Sequence, residues 1–132
     1  MGAWQRAILA ELQEHKVVSL RGETRSETAA IVRAARLLAN RGQVVIVALY
    51  NEDRGVFCHY AARPGAKANS GEPIECLSVE LLNVARVPGG TRATYKGSVR
   101  DIAKQMGCSP TTIWRDFRHI KQKAALANGG QP

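Results

Sequence analysis

Apolar residues recur along the chain with two spacings, one typical of helices and one of strands. Spacings of three and four residues predict amphipathic helices over 3–14, 27–40, 74–87, 99–106 and 110–123. Short β-branched runs predict strands over 17–20, 44–49 and 56–61. A polar turn over 51–55 joins the last two strands, as in a β-hairpin. The pattern therefore predicts a mainly α chain with a small β-hairpin, of the α+β class.

Residues 63–73 divide this pattern into two units. Their sequence, RPGAKANSGEP, is rich in Gly, Pro, Ala, Asn and Ser and has no apolar periodicity, so it predicts a linker or a long exposed loop. The division gives an N-terminal α/β unit over 1–62, a three-helix unit over 74–123 and a disordered tail over 124–132. A chain of 132 residues can hold one ordinary domain or two very small ones.

The most regular pattern lies in residues 98–122, SVRDIAKQMGCSPTTIWRDFRHIKQ. Gly107 stands where the first of two helices would end in a left-handed backbone. Ser109 suits the N-cap of the second helix, and Pro110 suits its first position. The buried faces of the two helices would consist of Val99, Ile102, Ala103, Met106, Ile113, Phe117 and Ile120. Two helices joined by this tight turn predict a helix-turn-helix motif.

The outer side of the second helix suits nucleic acid. It would present Ser109, Pro110, Thr111, Trp114, Arg115 and Arg118. Arginine reads guanine or binds phosphate, and short hydroxyls near a helix N-terminus favour phosphate. Trp114 would face DNA or pack under the N-terminal unit. Arg92 and Lys96, in the basic loop before the motif, would contact phosphate or remain solvated.

The stretch SVRDIAKQMGCSPTTIWRDF resembles bacterial and phage helix-turn-helix regulators. Its Thr-Ile-x-Arg-Asp pattern is similar to that of sugar-metabolism repressors of the DeoR type. The resemblance covers residues 98–122 and implies sequence-specific DNA binding. It does not imply the sugar-phosphate-sensing domain of that family, for which the chain has no room. A helical hairpin with no nucleic-acid role is the alternative.

The N-terminal unit has the element order of a winged helix: helix, short strand, helix, glycine and hairpin. Residues 26–47 resemble the recognition helix and wing of bacterial winged-helix repressors, although only 21–25 stand where that family has a further helix. The resemblance implies that Thr28, Arg33 and Arg36 contact groove or phosphate. It also implies that Arg54, at the hairpin tip, touches the DNA backbone. The alternative is a structural α/β unit that pairs two copies through its hairpin edge.

The net charge of +8 is unevenly distributed. Before Arg86 there are ten Lys and Arg against nine Asp and Glu, a net +1, and from Arg86 onward nine against two, a net +7. The positive field therefore belongs to the half that contains the helix-turn-helix motif, which favours nucleic acid. No apolar run reaches the length of a membrane span and no signal peptide is evident, so we expect no membrane association.

The residues indicate a binding protein and not an enzyme. The sequence contains no GxGxxG, Walker glycine loop or HExxH motif, and its C-terminal half has too few carboxylates for a two-metal nuclease. Cys58 beside His59 is a weak metal signal, and a buried cysteine next to a surface histidine is the alternative. We expect neither a metal nor a cofactor. Three scattered cysteines are typical of free thiols in an intracellular protein.

The leading hypothesis is a cytoplasmic, sequence-specific transcriptional regulator, most simply a repressor. It would bind double-stranded DNA as a homodimer and read the major groove with the helix 110–123. One alternative is a protein-interaction adaptor or anti-repressor built on a helix-turn-helix scaffold. Another is a replication-origin or DNA-architecture protein that uses both units on one long site.

Overall fold

A central β-sheet with helices on both faces organises the protein. The computed structural model describes residues 2–77 and 96–121. Its helices are α1 (Ala3–Glu14), α2 (Arg25–Asn40), α3 (Val99–Met106) and α4 (Pro110–Trp114), with further helical turns over 75–77 and 117–121. Its strands are β1 (Val17–Ser19), β2 (Val45–Asn51), β3 (Val56–Ala62) and β4 (Lys96–Gly97). The predicted α+β class is confirmed.

The strands follow the order β1-β3-β2-β4 across the sheet. β2 and β3 form the predicted antiparallel hairpin, in which Val45 lies opposite Ala62. β1 pairs antiparallel with the other side of β3, where Val17 also lies opposite Ala62. β4 adds two residues parallel to β2. One sheet therefore joins strands from both sides of the segment 63–73.

Helix α2 forms where the sequence predicts it. Thr24 is its N-cap, and the Thr24 hydroxyl accepts a hydrogen bond from the Glu27 N–H at 3.0 Å. Helical spacing within 27–40 places Ile31, Ala34, Ala35 and Leu38 on one face, and all four are buried. This burial leaves Arg33 and Arg36 on the exposed side of the helix.

Each face of the sheet has its own apolar core. On one face the strands pack against α3 and α4, and the largest buried side chains are Leu49, Tyr60, Ile74, Ile102, Met106 and Ile113. On the other face they pack against α1, α2 and the segment after α4, with Ile8, Leu12, Ile31, Leu38 and Phe117. Removal of these apolar side chains from water is the main term that stabilises the fold.

The structure differs from the predicted division at 63–73. Within that segment Lys67 and Pro73 form a β-bridge, and the Asn69 N–H donates to the Gln105 carbonyl of α3 at 2.8 Å. Ala68 is buried in the core that contains α3. Because each core combines side chains from both predicted units, the described residues form one packed body and not two units joined by a linker.

Several predictions fall outside the described residues. Helix 74–87 is described only over its turn at 75–77, and the tail 124–132, Arg92 and the side chain of Lys96 are not described. Within the described ranges, no helix has the length and apolar character needed to cross a membrane.

Candidate nucleic-acid interface

The turn between α3 and α4 has the predicted geometry. Ser98 and Asp101 form a capping box at the start of α3, in which each side chain accepts a hydrogen bond from the other residue's N–H. Gly107 ends α3 with a φ of 70°, a left-handed backbone that favours glycine. Ser109 caps α4, and Pro110 is its first residue. The predicted inward face of α3 is confirmed by the burial of Val99, Ile102, Ala103 and Met106.

The second helix of this motif is shorter than predicted. α4 ends at Trp114, Arg115 has an extended backbone, and a separate helical turn begins at 117. In a continuous helix the Arg118 N–H would donate to the Trp114 carbonyl. Instead, that carbonyl accepts a hydrogen bond from the Arg54 guanidinium at 2.8 Å, and the Arg118 N–H donates to the Asp116 carboxylate at 3.1 Å. The prediction of one helix over 110–123 is wrong because side chains take both partners of that hydrogen bond.

Arg54 lies in the interior, where the hairpin meets α4. Its side chain is 3% exposed and lies 3.5 Å from the Asp116 carboxylate, which is 4% exposed. The guanidinium also donates to Ser19 Oγ at 3.2 Å and lies 4.9 Å above the centre of the Trp114 ring. The prediction that Arg54 touches the DNA backbone is wrong, because these contacts bury it between the hairpin, β1 and α4.

The hairpin turn also holds the start of α3. The Asp53 carboxylate accepts a hydrogen bond from the Val99 N–H at 2.7 Å, at a helix end where negative charge is stabilising. The Asn51 side-chain oxygen shapes the turn by accepting from the N–H groups of Asp53 and Arg54 at 3.0 and 3.2 Å. The hairpin tip is therefore packed on α3 and α4 and is not a free wing.

Arg115 turns toward α1. Its Nε and Nη2 atoms donate to the two carboxylate oxygens of Glu11 at 3.0 and 3.3 Å, which is a bidentate ion pair. The Arg115 side chain keeps 21% exposure. The prediction that Arg115 lies on the outer side of the motif is wrong, because the ion pair draws its side chain toward α1. Glu11 lies 104 residues earlier in the chain, so local periodicity could not indicate this contact.

The other predicted residues of the motif keep outer positions. They form a strip along α4 and the following turn that consists of Ser109, Thr111, Trp114 and Arg118. Trp114 is 44% exposed despite its contact with Arg54. Arg118 forms no ion pair with a described residue, and it is the one positively charged member of the strip.

A second cationic surface lies on α2. Arg25, Arg33 and Arg36 are exposed, and none of them forms an ion pair with a described residue. Arg33 and Arg36 thus lie where a ligand can reach them, and their contact with groove or phosphate stays a prediction. Thr28 has a structural contact instead, because its hydroxyl accepts a hydrogen bond from the Gly22 N–H at 3.0 Å and fixes the loop before α2.

A groove of about 640 Å³ separates α2 from β3, and we call it the α2–β3 groove. Its charged lining consists of four arginines and one glutamate, a net +3: Arg21, Arg25, Arg33, Arg36 and Glu23. Val56 and Phe57 of β3 also line the groove, and both are large apolar side chains that remain exposed. The groove therefore combines excess positive charge with an accessible aromatic ring.

His59 lines the same groove from β3. Burial, together with the nearby charge of Arg36, lowers the pKa of its imidazole from the ordinary value of 6.5. His59 is therefore uncharged at neutral pH. Phe57 precedes it on the same face of the strand and meets Tyr50 edge to face, with 5.2 Å between ring centroids.

Sequence reasoning missed three members of this groove. Arg25 had a usable signal, because it lies eleven residues before Arg36, about three helical turns, and so shares a side of α2 with it. His59 was considered only as a weak metal signal. Nothing in the sequence indicated that Phe57 would be exposed, since its exposure depends on how far α2 extends along the sheet.

The structure shows no metal-binding arrangement among the residues it describes. Within 2–77 and 96–121, no three His, Cys, Asp or Glu side chains come together as a site for a cation. All three cysteines are free thiols. Burial raises the pKa of the Cys108 thiol, although the charge of Lys16 opposes that shift, so Cys108 stays protonated at neutral pH.

In comparisons with known proteins, no family model matches this chain, and no curated protein or solved structure shows significant similarity to it.

Proposed function

We propose that this protein is a regulator that binds double-stranded DNA through the arginines of α2 and the α2–β3 groove. The observation that carries the proposal is the set of three exposed arginines on one helix, none of which is paired with a described carboxylate. Cations that no described carboxylate neutralises are available to replace counterions along the phosphate backbone.

The dimensions of α2 suit a duplex. Its 16 residues give a rod about 24 Å long at 1.5 Å per residue. With side chains, such a helix is about 10–12 Å wide, and the major groove of B-DNA is about 12 Å wide. Arg33 and Arg36 would bind phosphates or read guanine through paired hydrogen bonds.

The topology supports a winged-helix arrangement of the N-terminal half. α1, β1, α2 and the β2–β3 hairpin follow one another in that order, and β1 pairs with β3. Two features depart from the family. Residues 21–24 form a turn where the family has a helix, and the hairpin tip is packed on α3 and α4. Our proposal therefore assigns the DNA contact to α2 and its groove, not to the hairpin tip.

Regulation would follow from occupancy of a DNA site, without catalysis. A homodimer would present two copies of α2 to the two half-sites of a palindrome, which multiplies the contacts and sets the half-site spacing. Repression is the simplest outcome, because a bound dimer excludes other proteins from the same stretch of DNA.

Fluorescence anisotropy with a pool of labelled duplexes tests the proposal. Arg33→Ala and Arg36→Ala should each weaken binding to all sequences and reduce the slope of log affinity against log salt by about one. Arg100→Ala removes the same charge from the exposed side of α3 and serves as the matched control. Unchanged affinity in both α2 variants, or an equal loss in the control, would reject the assignment to α2.

Trp114 supports a second candidate function, a protein-interaction adaptor. It is exposed and lies four residues before the exposed Arg118, and Trp and Arg are the side chains most enriched among the energetically dominant residues of protein interfaces. An adaptor of this charge would bind an acidic partner. Retention on polyglutamate that depends on Trp114, combined with no retention on random duplex DNA at the same salt, would replace the DNA proposal with this one.

A further inference from the structure

The α2–β3 groove places an uncharged histidine beside an arginine that forms no ion pair with a described residue. His59 and Arg36 both line it, one from β3 and one from α2. The two side chains therefore border the same space. Imidazole and guanidinium groups that converge on one space are donors suited to an anion.

Resting on the proposed function, we propose that the α2–β3 groove holds a backbone phosphate of the bound DNA strand between Arg36 and His59. As the phosphate enters, His59 takes up one proton from solvent and becomes a charged hydrogen-bond donor to a phosphate oxygen. DNA binding is then coupled to proton uptake at this one residue.

The charges explain the direction of this coupling. Without a ligand, burial and Arg36 both disfavour the imidazolium form of His59. A phosphodiester carries a full negative charge throughout the neutral range, so it offsets Arg36 and stabilises the imidazolium. The pKa of His59 is therefore higher in the complex than in the free protein. By linkage, affinity falls as the pH rises through this interval and levels off below it.

Other charged groups along the groove do not reverse this direction. The loop before α2 contributes Arg21 and Glu23, and α2 itself also contributes Arg25 and Arg33. Arginine side chains in proteins are effectively always positively charged. Glu23 is exposed, so solvent screens its charge. On β3, Cys58 also lines the groove.

The groove has room for more than a phosphate. Its volume of about 640 Å³ lies within the range of about 300–1,000 Å³ that is typical of clefts for drug-sized ligands. Phe57 on its wall gives a sugar or an unstacked base an apolar contact. A nucleotide unit therefore fits the lining better than the side chain of an acidic peptide, which has no large apolar part.

Affinity of the full chain for a short duplex, measured by anisotropy between about pH 5 and 8 at constant ionic strength, tests the coupling. Parent affinity should fall with rising pH, by up to about tenfold per pH unit, the limit for one linked proton. His59→Gln should flatten this dependence. His15→Gln is the matched control, because His15 lies at the end of α1 and does not line the groove, and it should keep the parent slope.

An NMR titration of the unmodified chain removes any dependence on how a variant folds. The His59 ring signal, assigned by its loss in His59→Gln, should titrate at higher pH when the duplex is bound. Sulfate, which does not titrate in this range, tests a free anion, and polyglutamate tests an acidic peptide. Equal pH slopes in parent and His59→Gln, or an unmoved His59 titration with bound duplex, would overturn the coupling while leaving DNA binding intact.

The titrations with sulfate and with polyglutamate also distinguish between ligands. A shift with sulfate or polyglutamate, and none with the duplex, would overturn the assignment to DNA phosphate. Absence of duplex binding at every pH would instead reject the proposed function on which this inference rests.

Discussion

Removal of Arg54 should destabilise the fold more than removal of any exposed arginine. Arg54→Met keeps an unbranched apolar stem against Trp114 but leaves the Asp116 carboxylate, 4% exposed, without its guanidinium partner. Breaking a buried ion pair by removing one partner costs about 3–5 kcal/mol. Asp116 keeps hydrogen bonds from two backbone N–H groups and a contact with His119, so we expect the lower end, about 3 kcal/mol.

Urea unfolding followed by far-ultraviolet circular dichroism measures this effect, because Trp114 fluorescence is itself altered by the substitution. Arg63→Met is the matched control: Arg63 is exposed and forms no ion pair with a described residue, so its loss should stay within about 0.5 kcal/mol. A loss of 3 kcal/mol is large against the total stability of about 5–15 kcal/mol for an ordinary domain.

A double-mutant cycle identifies the cause of the loss. Asp116→Asn removes the buried charge and keeps an oxygen that can cap the turn at 117. If the unpaired carboxylate causes the loss, adding Asp116→Asn to Arg54→Met should recover part of it, with a coupling energy of about 1–3 kcal/mol. A cost for Arg54→Met within error of the Arg63→Met control, or strictly additive single losses, would refute the argument that this pair holds the hairpin to α4.

Two further predictions concern Arg115 and His59. Arg115→Ala should leave duplex affinity unchanged and lower stability by about 1 kcal/mol, because Arg115 is paired with Glu11; a selective loss of DNA binding would contradict this. The lowered pKa of His59 means that the unfolded chain binds a proton first as the pH falls below 6.5. The parent should therefore lose stability relative to His59→Gln over that interval in urea titrations, and parallel curves would contradict the direction of the shift.

Local signals in the sequence are sufficient to locate most of the elements. Gly107 and Ser109 cap helices at the predicted places because capping depends on residues within one turn of the helix end. The hairpin likewise follows from two β-branched runs around a polar turn. The buried faces of α2 and α3 follow from spacing alone.

The errors arise where a long-range contact overrides a local pattern. Residues 110–123 have helical periodicity, yet Arg54, about sixty residues earlier, takes the Trp114 carbonyl and the helix ends there. Arg115 has an outward position on an ideal helix, yet Glu11 of α1 binds it. The segment 63–73 has loop composition, yet its backbone pairs with α3 through Asn69. These partners lie far apart in the sequence, so a spacing rule that covers ten to twenty residues cannot detect them.

Ion pairs change which positive charges are available to a ligand. Summed along the sequence, the positive charge lies after Arg86, which favoured the helix-turn-helix motif as the DNA contact. In the structure Arg115 is matched by Glu11, whereas Arg33 and Arg36 of the nearly neutral N-terminal half have no described acidic partner. The charge available to a ligand depends on these pairs and not on the sum over a segment.

The same reasoning decides which arginines can contribute to binding. For Arg54 to contact a DNA phosphate it would have to leave Asp116, at a cost of about 3–5 kcal/mol for a broken buried pair. A charged hydrogen bond to phosphate yields about 1.5–3 kcal/mol, so this exchange is unfavourable. Arg33 and Arg36 face no such cost, because they have no described carboxylate to leave. Duplex affinity should therefore depend on these α2 arginines and not on Arg54 or Arg115, which are paired with Asp116 and Glu11.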